Sequence, residues 1–468
     1  MAIDTIGTNA IANDAVTAAK IPAGAVDADL GAVHSVISAK GTIINSIATT
    51  LTIEIGGKFA STVNVKYYEG STLVATDSSR TVTNGTLTST VPSAVYGQSV
   101  GDTIAIKIES GSSLSENSVD KTVITAPTGG TITTSGDYRI HTFNSSGNFV
   151  VAANTLLKNI EYLVIGGGGG AGYHTANSYY YDSVGGGGAG GYRCSVPGET
   201  SGGGVDAESP ISYLTSGTYE CQVGAGGAAV GSTGTGGSAG TNSVFGGSSV
   251  ESVSVGGTGA HHSFYYGTPD RSQNPIQSST GSLPIMSHGG GGSVSVCWNP
   301  PQGTRGGNGG SGGGSGSASG ITANYGVNLS RQGYVSGTLN DVQAGSAGGG
   351  AGGAGPNINS SNKGTTNNYN GGAGLTSSIT GSAVARGGGG AAGGTTSSGH
   401  STSGGAATAG GGDGGDYAAG AAGGNGTANT GGGAGGSGAS ASAQAYASGA
   451  GGSGVIILRY KLNEVDNF

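Results

Sequence analysis

All but 15 of the chain's 104 glycines lie from Glu161 onward. They come in runs at 166–170, 185–188, 289–292 and 387–390, with denser mixed tracts around Gly348 and Gly431. Glycine loses more conformational freedom on folding than any other residue, so a disordered linker is the default outcome of such a composition. Disordered chains, however, usually combine low hydrophobicity with high net charge. Here only 9% of residues are charged and 34% are apolar. Strand-like segments, aromatic-rich insertions and an apolar C-terminal stretch punctuate the runs. The pattern therefore points to a folded glycine scaffold that displays loops.

Few ordered forms are open to such runs. An α-helix loses about 1 kcal/mol per Gly relative to Ala, and a central sheet gains no side-chain packing from them. An extended, left-handed threefold helix accepts Gly, and without Cβ atoms such helices can stack closely. Lateral backbone hydrogen bonds would then supply about 0.5–1.5 kcal/mol each, against an ordering cost of about 1–2 kcal/mol per residue. Only an array can hold this form. With 11 Pro and irregular Gly spacing, a collagen helix is excluded. The expected fold is mainly β with almost no α-helix: an extended N-terminal repeat, a β-sandwich, then short strands with packed polyglycine-type helices.

The N-terminal segment, residues 1–34, carries apolar residues every five positions: Ile6, Ile11, Val16, Ile21 and Val26. This is neither the 3.6 period of a helix nor the 2.0 of a strand. One apolar residue in five cannot make a core within one chain. The stripe suits oligomerisation or attachment to another protein, the alternative being a floppy terminus with chance periodicity. Residues 35–127 lose the glycine and gain alternation, with strands expected at 42–45, 50–55, 62–68, 72–76, 85–91, 103–109 and 118–125. Asn84-Gly85 and Gly101-Asp102 are turn signals between them. Such a set reads as an immunoglobulin-like or fibronectin-like spacer. Residues 128–468 form the glycine-rich domain. Strand-like pieces at 138–143, 148–151, 160–165 and 454–460 are candidates for a base anchoring both its ends.

Composition excludes several functions. Lys and Arg number 17 against 25 Asp and Glu, a formal net charge of −8, which argues against binding nucleic acid. Arg305-Gly306-Gly307 and Arg386-Gly387-Gly388 read as turns of the scaffold rather than RGG elements. Cys194, Cys221 and Cys297 are odd in number, fit no zinc spacing and read as small buried apolar residues. No apolar run is long enough to span a membrane, and no signal peptide is visible, so synthesis in a cytosol is expected, the chain staying there or leaving without classical secretion. His261, His262 and His288 lack a partnering carboxylate motif, and the lone 412–416 Gly-Asp repeat reads as a turn, so no metal is expected. No nucleophile motif occurs in a strand–turn–helix setting. Neither a cofactor nor an enzymatic activity is expected.

Binding is expected on the insertions. Tyr173 and His174, then Tyr179, Tyr180 and Tyr181, interrupt the first runs. His261, His262, Phe264, Tyr265 and Tyr266 open a long insertion, and Trp298 is the only tryptophan. Tyr and Trp give rigid contact area with a polar handle, and loops on a rigid scaffold are the usual home of recognition. The competing reading makes these rings the core, which is preferred for scattered residues such as Tyr369 and Tyr446.

An ordered set of short motifs runs through residues 138–460: HTFNSSGNFV at 141–150, EYLVIGGG at 161–168, GGGGAGGYR at 185–193, GTYECQVGAGG at 217–227, GTNSVFG at 240–246 and GGSGVIILRY at 451–460. This set resembles the glycine-rich domain of phage tail-fibre and tail-tip adhesins, and the N-terminal pentads resemble repeats of phage fibre proteins. The resemblance implies a virion protein that binds a host-surface glycan or outer-membrane protein and contacts other tail proteins through its N-terminus. A trimer is the expected assembly. The resemblance carries no catalytic residue. A purely structural fibre or coat protein is the alternative, and ice binding is a third reading that the bulky insertions disfavour.

Overall fold

The computed structural model describes residues 34–173, 183–230, 236–246, 283–294, 306–317, 325–340, 344–397, 400–401, 403–417, 421–439 and 446–467. The chain divides into two compact units, Met1–Ala126 with Asn463–Phe468, and Pro127–Leu462.

Alternating side chains build the first unit. Its strands are β1 (His34–Lys40), β2 (Ile43–Ile44), β3 (Thr50–Gly57), β4 (Thr62–Glu69), β5 (Thr72–Thr81), β6 (Thr86–Thr90), β7 (Thr103–Ser110), β8 (Ser113–Leu114) and β9 (Val119–Ile124). In β7 every second residue, Ile104, Ile106 and Ile108, is fully buried while Thr103 faces solvent. One sheet has the order β1-β3-β6 and the other β2-β9-β7-β4-β5, with β8 on β7. Leu51, Ile53 and Leu87 of the first meet Val65, Tyr67 and Ile106 of the second in one core. This is a sandwich whose chain changes sheets repeatedly, as Greek-key sandwiches do. Asn84 and Gly85 both take positive φ, and Thr83 and Thr86 exchange backbone bonds of 2.9 and 3.0 Å across the turn they make. A polar network lies between the sheets. The Tyr67 hydroxyl lies 2.7 Å from Ser89 Oγ, which donates to Asp77 Oδ2 at 2.6 Å, and Arg80 pairs with the same carboxylate. Burial raises the Tyr67 pKa well above the usual phenol range.

The second unit rests on strands from both of its ends. β10 (Thr131–Ser135), β11 (Tyr138–Phe143), β12 (Gly147–Val151) and β13 (Thr155–Ile165) come first; the closing strand is Val455–Lys461. The closing strand inserts antiparallel between β11 and β13, pairing His141 with Leu458 and Leu163 with Ile457. Both ends of the glycine region are thus stapled into the middle of one sheet. β14 (Tyr192–Cys194) extends it, and Ile140, Leu163, Ile165, Tyr192, Val455 and Ile457 form a core on it. After the short hairpin β15 (Thr200–Ser201) and β16 (Val205–Asp206) come β17 (Ile211–Leu214), β18 (Gly217–Gln222), β19 (Ser243–Phe245) and β20 (Ile285–Ser287). β12, β18, β19 and β20 make a four-stranded sheet. Phe149 of that sheet meets the His141 ring edge-on at 4.9 Å, and His141 stacks on Tyr460 at 5.8 Å.

The expectation of packed polyglycine-type helices is corrected by the structure. Among the described residues no helix reaches seven residues, and the helical pieces are Ser93–Tyr96, Thr366–Tyr369 and Leu462–Glu464. The long glycine tracts are neither helix nor strand. Their N–H and C=O groups are taken by other tracts, so no ladder forms within any one of them. The Gly372 N–H donates to Gly348, Gly348 to Gly390, Gly390 to Gly187, Gly187 to Ala434, Ala434 to Gly169, Gly169 to Gly188, Gly188 to Gly291 and Gly291 to Ser311. Every bond in this buried relay measures 2.7–3.0 Å. The mainly β character, with a sandwich-like first unit, stands.

Candidate functional site

Bare glycine permits the closeness of the tracts. A Cβ on Gly187 would stand 2.1 Å from the Gly169 oxygen, and one on Gly168 would stand 2.0 Å from the Gly432 oxygen. Strands β13 and β14, with the closing strand, fix one end of this framework. There Gly166 N–H donates to Gly191 O at 3.1 Å, Gly190 N–H to Gly431 O at 2.8 Å, and Gly454 N–H to Gly224 O at 2.8 Å.

The tracts run from that strand end to an opposite end and back. At the opposite end a second set of bonds joins their tips. Ala171 N–H donates to Gly449 O at 3.1 Å, Gly393 N–H to Val184 O at 3.1 Å, and Val184 N–H to Ser437 O at 3.2 Å. Ala439 N–H donates to Gly394 O at 2.9 Å, Gly423 N–H to Ala447 O at 3.0 Å, and Val294 N–H to Gly314 O at 3.2 Å. Side chains join in: Gly345 N–H donates to Ser183 Oγ at 2.7 Å, and Gly172 N–H to Ser293 Oγ at 3.0 Å. Consequently the residues flanking the chain intervals 174–182, 295–305, 318–324, 418–420 and 440–445 gather at this one end. The interval 247–282 has a different origin. Its flanks are β19 and β20, which pair Phe245 with Ile285 in the four-stranded sheet.

Of the residues expected to bind, Tyr173 ends the first tract and is half-buried. His174, Tyr179, Tyr180, Tyr181, His261, His262, Phe264, Tyr265, Tyr266 and Trp298 lie outside the described residues, as do Ile6, Ile11, Val16, Ile21 and Val26. Tyr369 is buried, in line with the core reading, whereas Tyr446 is only half-buried at a tract end. Sequence reasoning missed Tyr325, 44% exposed, and Tyr417, half-buried, both at tract ends. Their position beside the glycine tracts was the available signal.

The charged chemistry lies elsewhere, under the tracts. Arg193 and Glu208 form a buried ion pair. Tyr162 donates to the same carboxylate at 2.9 Å, Ser201 donates to it at 3.2 Å, and Arg193 also reaches Met286 O at 3.2 Å. Burial opposes the Arg193 charge, but the Glu208 carboxylate more than offsets this and raises its pKa. His288 is buried beside Gln332, and burial lowers its pKa. His141, bonded to Gly129 O at 2.8 Å, is lowered to about 4 by burial. Burial pushes the Cys194 and Cys221 thiols up to about 12, which makes them poor nucleophiles. Both are free and buried. Asp413 and Asp416 accept from Ala407 N–H at 2.6 Å and Gly404 N–H at 2.9 Å, pinning neighbouring tracts. Among the described residues no group of three or more His, Cys, Asp or Glu gathers as a metal site, and no helix is long and apolar enough to cross a membrane. Arg386, expected in a turn, instead ends the strand Val384–Arg386, paired with Leu375, and Gly387 takes φ +73° as the chain enters a tract; Arg305 lies outside the described residues.

Residues 143–282 match the family model of a glycine-rich domain, so such a domain is present in the chain. No curated protein matches it.

Proposed function

We propose that this chain is a phage tail-fibre or tail-tip protein that attaches the virion to a receptor on the host-cell surface. The observation that carries this reading is the gathering of tract ends. A backbone-bonded framework, stapled at its other end by β11, β13 and the closing strand, brings the flanks of several insertions to one place. Rigid scaffolds that hold variable segments together are the usual architecture of recognition. His174, Tyr179, Tyr180, Tyr181 and Trp298 fall in those insertions, whereas the cluster at 261–266 falls in the separate interval 247–282. Residues 1–34, with their five-residue stripe, would attach the chain to other tail proteins and assemble it, as a trimer, on the virion. Several copies would convert weak contacts into avidity.

The test is adsorption of the labelled full chain to a panel of bacterial isolates, with whole phage as competitor. Saturable adsorption that blocks infection is the expected result. A folded chain that binds none of the cells its phage infects would refute the reading and favour a structural fibre or coat component.

A further inference from the structure

We infer that Asn84 is a site of spontaneous amide-to-acid modification, and that the other three Asn-Gly pairs of the chain are locked against the same reaction. It stands apart from the receptor-binding reading. The sequence holds four Asn-Gly pairs, at 84–85, 308–309, 370–371 and 425–426, and all eight residues are described.

An asparagine followed by glycine is readily attacked by its own backbone. The nitrogen of the next residue gives its proton to hydroxide and adds to Cγ. The new N–Cγ bond closes a five-membered succinimide. The Cγ–Nδ2 bond breaks, and Nδ2 takes a proton from water and leaves as ammonia. Water then opens the ring at either carbonyl, giving aspartate or its β-linked isomer, isoaspartate. The sum is asparagine plus water to acid plus ammonia, with no redox change. Glycine favours closure because no Cβ hinders the nitrogen and the backbone can turn freely. The reaction therefore needs two free groups: the N–H that attacks and the side-chain amide that is attacked.

Three of the pairs have neither. Each clips one residue of a neighbouring segment from both sides. Val327 N–H donates to Asn308 Oδ1 at 3.0 Å, while Gly309 N–H donates to Val327 O at 3.1 Å. Ala406 N–H donates to Asn370 Oδ1 at 2.8 Å, while Gly371 N–H donates to Ala406 O at 3.0 Å. Ala450 N–H donates to Asn425 Oδ1 at 2.8 Å, and Gly426 N–H to Ala450 O at 2.8 Å. Asn357 and Ile358 hold Thr338 in the same way, at 3.0 and 2.8 Å, so the clip recurs beyond Asn-Gly. Ring closure at a clipped pair must break both bonds and lift one segment off another, which slows it about tenfold or more.

Asn84 is the contrast. It is exposed, in the turn that leads into β6. The bonds of that turn belong to its neighbours: Thr83 and Thr86 bond each other, and Gly85 O accepts from Ile55 N–H at 2.8 Å. Among the described residues neither the Asn84 side chain nor the Gly85 N–H makes a hydrogen bond. Both reacting groups thus face water while the flanking bonds hold them next to each other. The product puts a carboxylate where a neutral amide stood, and isoaspartate lengthens the main chain of a tight turn by one methylene. Leu87, buried in the sandwich core, follows directly after Thr86. Modification therefore strains the first unit and spares the glycine framework.

The experiment incubates the unaltered full chain in warm, mildly alkaline buffer, with a parallel sample in denaturant. Digestion and mass spectrometry then count aspartate and isoaspartate at each Asn-Gly pair over time. In the native chain position 84 should react about tenfold or more faster than 308, 370 and 425. In denaturant the four should react at similar rates. Asn84→Ser should remove most of the ammonia that the native chain releases. Equal native rates at all four pairs would overturn the inference, and so would an Asn84 that stays intact in the native chain. An excess at 84 that persists in denaturant would overturn it too, by tracing the difference to local sequence rather than to the clips.

Discussion

Gly187→Ala separates a packed framework from a loose glycine linker by the sign of its effect. The Gly187 N–H donates to Ala434 O at 2.7 Å and its oxygen accepts from Gly390 at 2.9 Å. A methyl there would lie 2.1 Å from the Gly169 oxygen, 2.7 Å from its carbonyl carbon and 3.0 Å from the Ala434 nitrogen. Restoring an ordinary contact requires a shift of roughly 1 Å. The tract cannot yield freely, because Cβ positions on Gly348 and Gly433 would each fall 2.0 Å from the Gly187 oxygen. Overpacking costs about 1–3 kcal/mol, and each buried backbone group left unpaired about 1–3 more. With one backbone group left unpaired, a loss of about 2–6 kcal/mol follows. In an unpacked linker the same change would be neutral or stabilising by about 0.4–1 kcal/mol. Gly353→Ala is the control, since its nearest neighbour is Ala373 Cβ at 3.4 Å. Urea unfolding read by pulse proteolysis, with fragments assigned by mass spectrometry, isolates the glycine-rich unit. A Gly187→Ala variant as stable as Gly353→Ala would refute the packing argument.

Three further outcomes follow from the buried groups. Glu208→Gln strands the Arg193 guanidinium inside the unit and should cost about 3–5 kcal/mol in the same unfolding assay; an unchanged midpoint would contradict the buried pairing. His141 has a folded pKa of about 4 against 6.5 for the free side chain, so the unfolded chain binds the extra proton. Its contribution is complete above pH 6.5, is lost as pH falls towards 4, and amounts to about 3 kcal/mol. His141→Phe should flatten the acid limb of stability measured by thermal melts between those pH values, and an unaltered limb would count against it. Iodoacetamide at pH 8 should leave Cys194 and Cys221 unmodified in the native chain and alkylate both after denaturation, as read by mass spectrometry; rapid native labelling would show that the thiols are not sealed in.

The sandwich was legible because its strands have one wet and one dry face. Leu51, Ile53 and Ile55, or Ile104, Ile106 and Ile108, announce themselves by period 2. The edge strand β1 was missed: its register shifts between Val36 and Ser38, and Ile37 stays 57% exposed, so alternation breaks. The stapling of the second unit was visible in the apolar stretches at 160–165 and 454–460. The glycine tracts carried no comparable code. A run of identical side-chain-free residues gives no face, no period and no register, so nothing in it says which tract bonds which. The expected helices were the outcome of that silence; the structure instead sends the backbone bonds between tracts remote in sequence. Tyr417 and Tyr446 stand singly beside glycine tracts in the sequence, and which tract ends meet is set by backbone bonds such as Gly423 N–H to Ala447 O and Ala421 N–H to Asp416 O, which no residue pattern announces.

Native-state hydrogen exchange on the unmodified chain tests the framework most directly. The account predicts that the amides of Gly169, Gly187, Gly188, Gly291, Gly348 and Gly390 exchange as slowly as those of β13 and the closing strand, because all of them are buried donors. Exchange of those glycines at the rate of an unstructured linker, with β13 still protected, would contradict it.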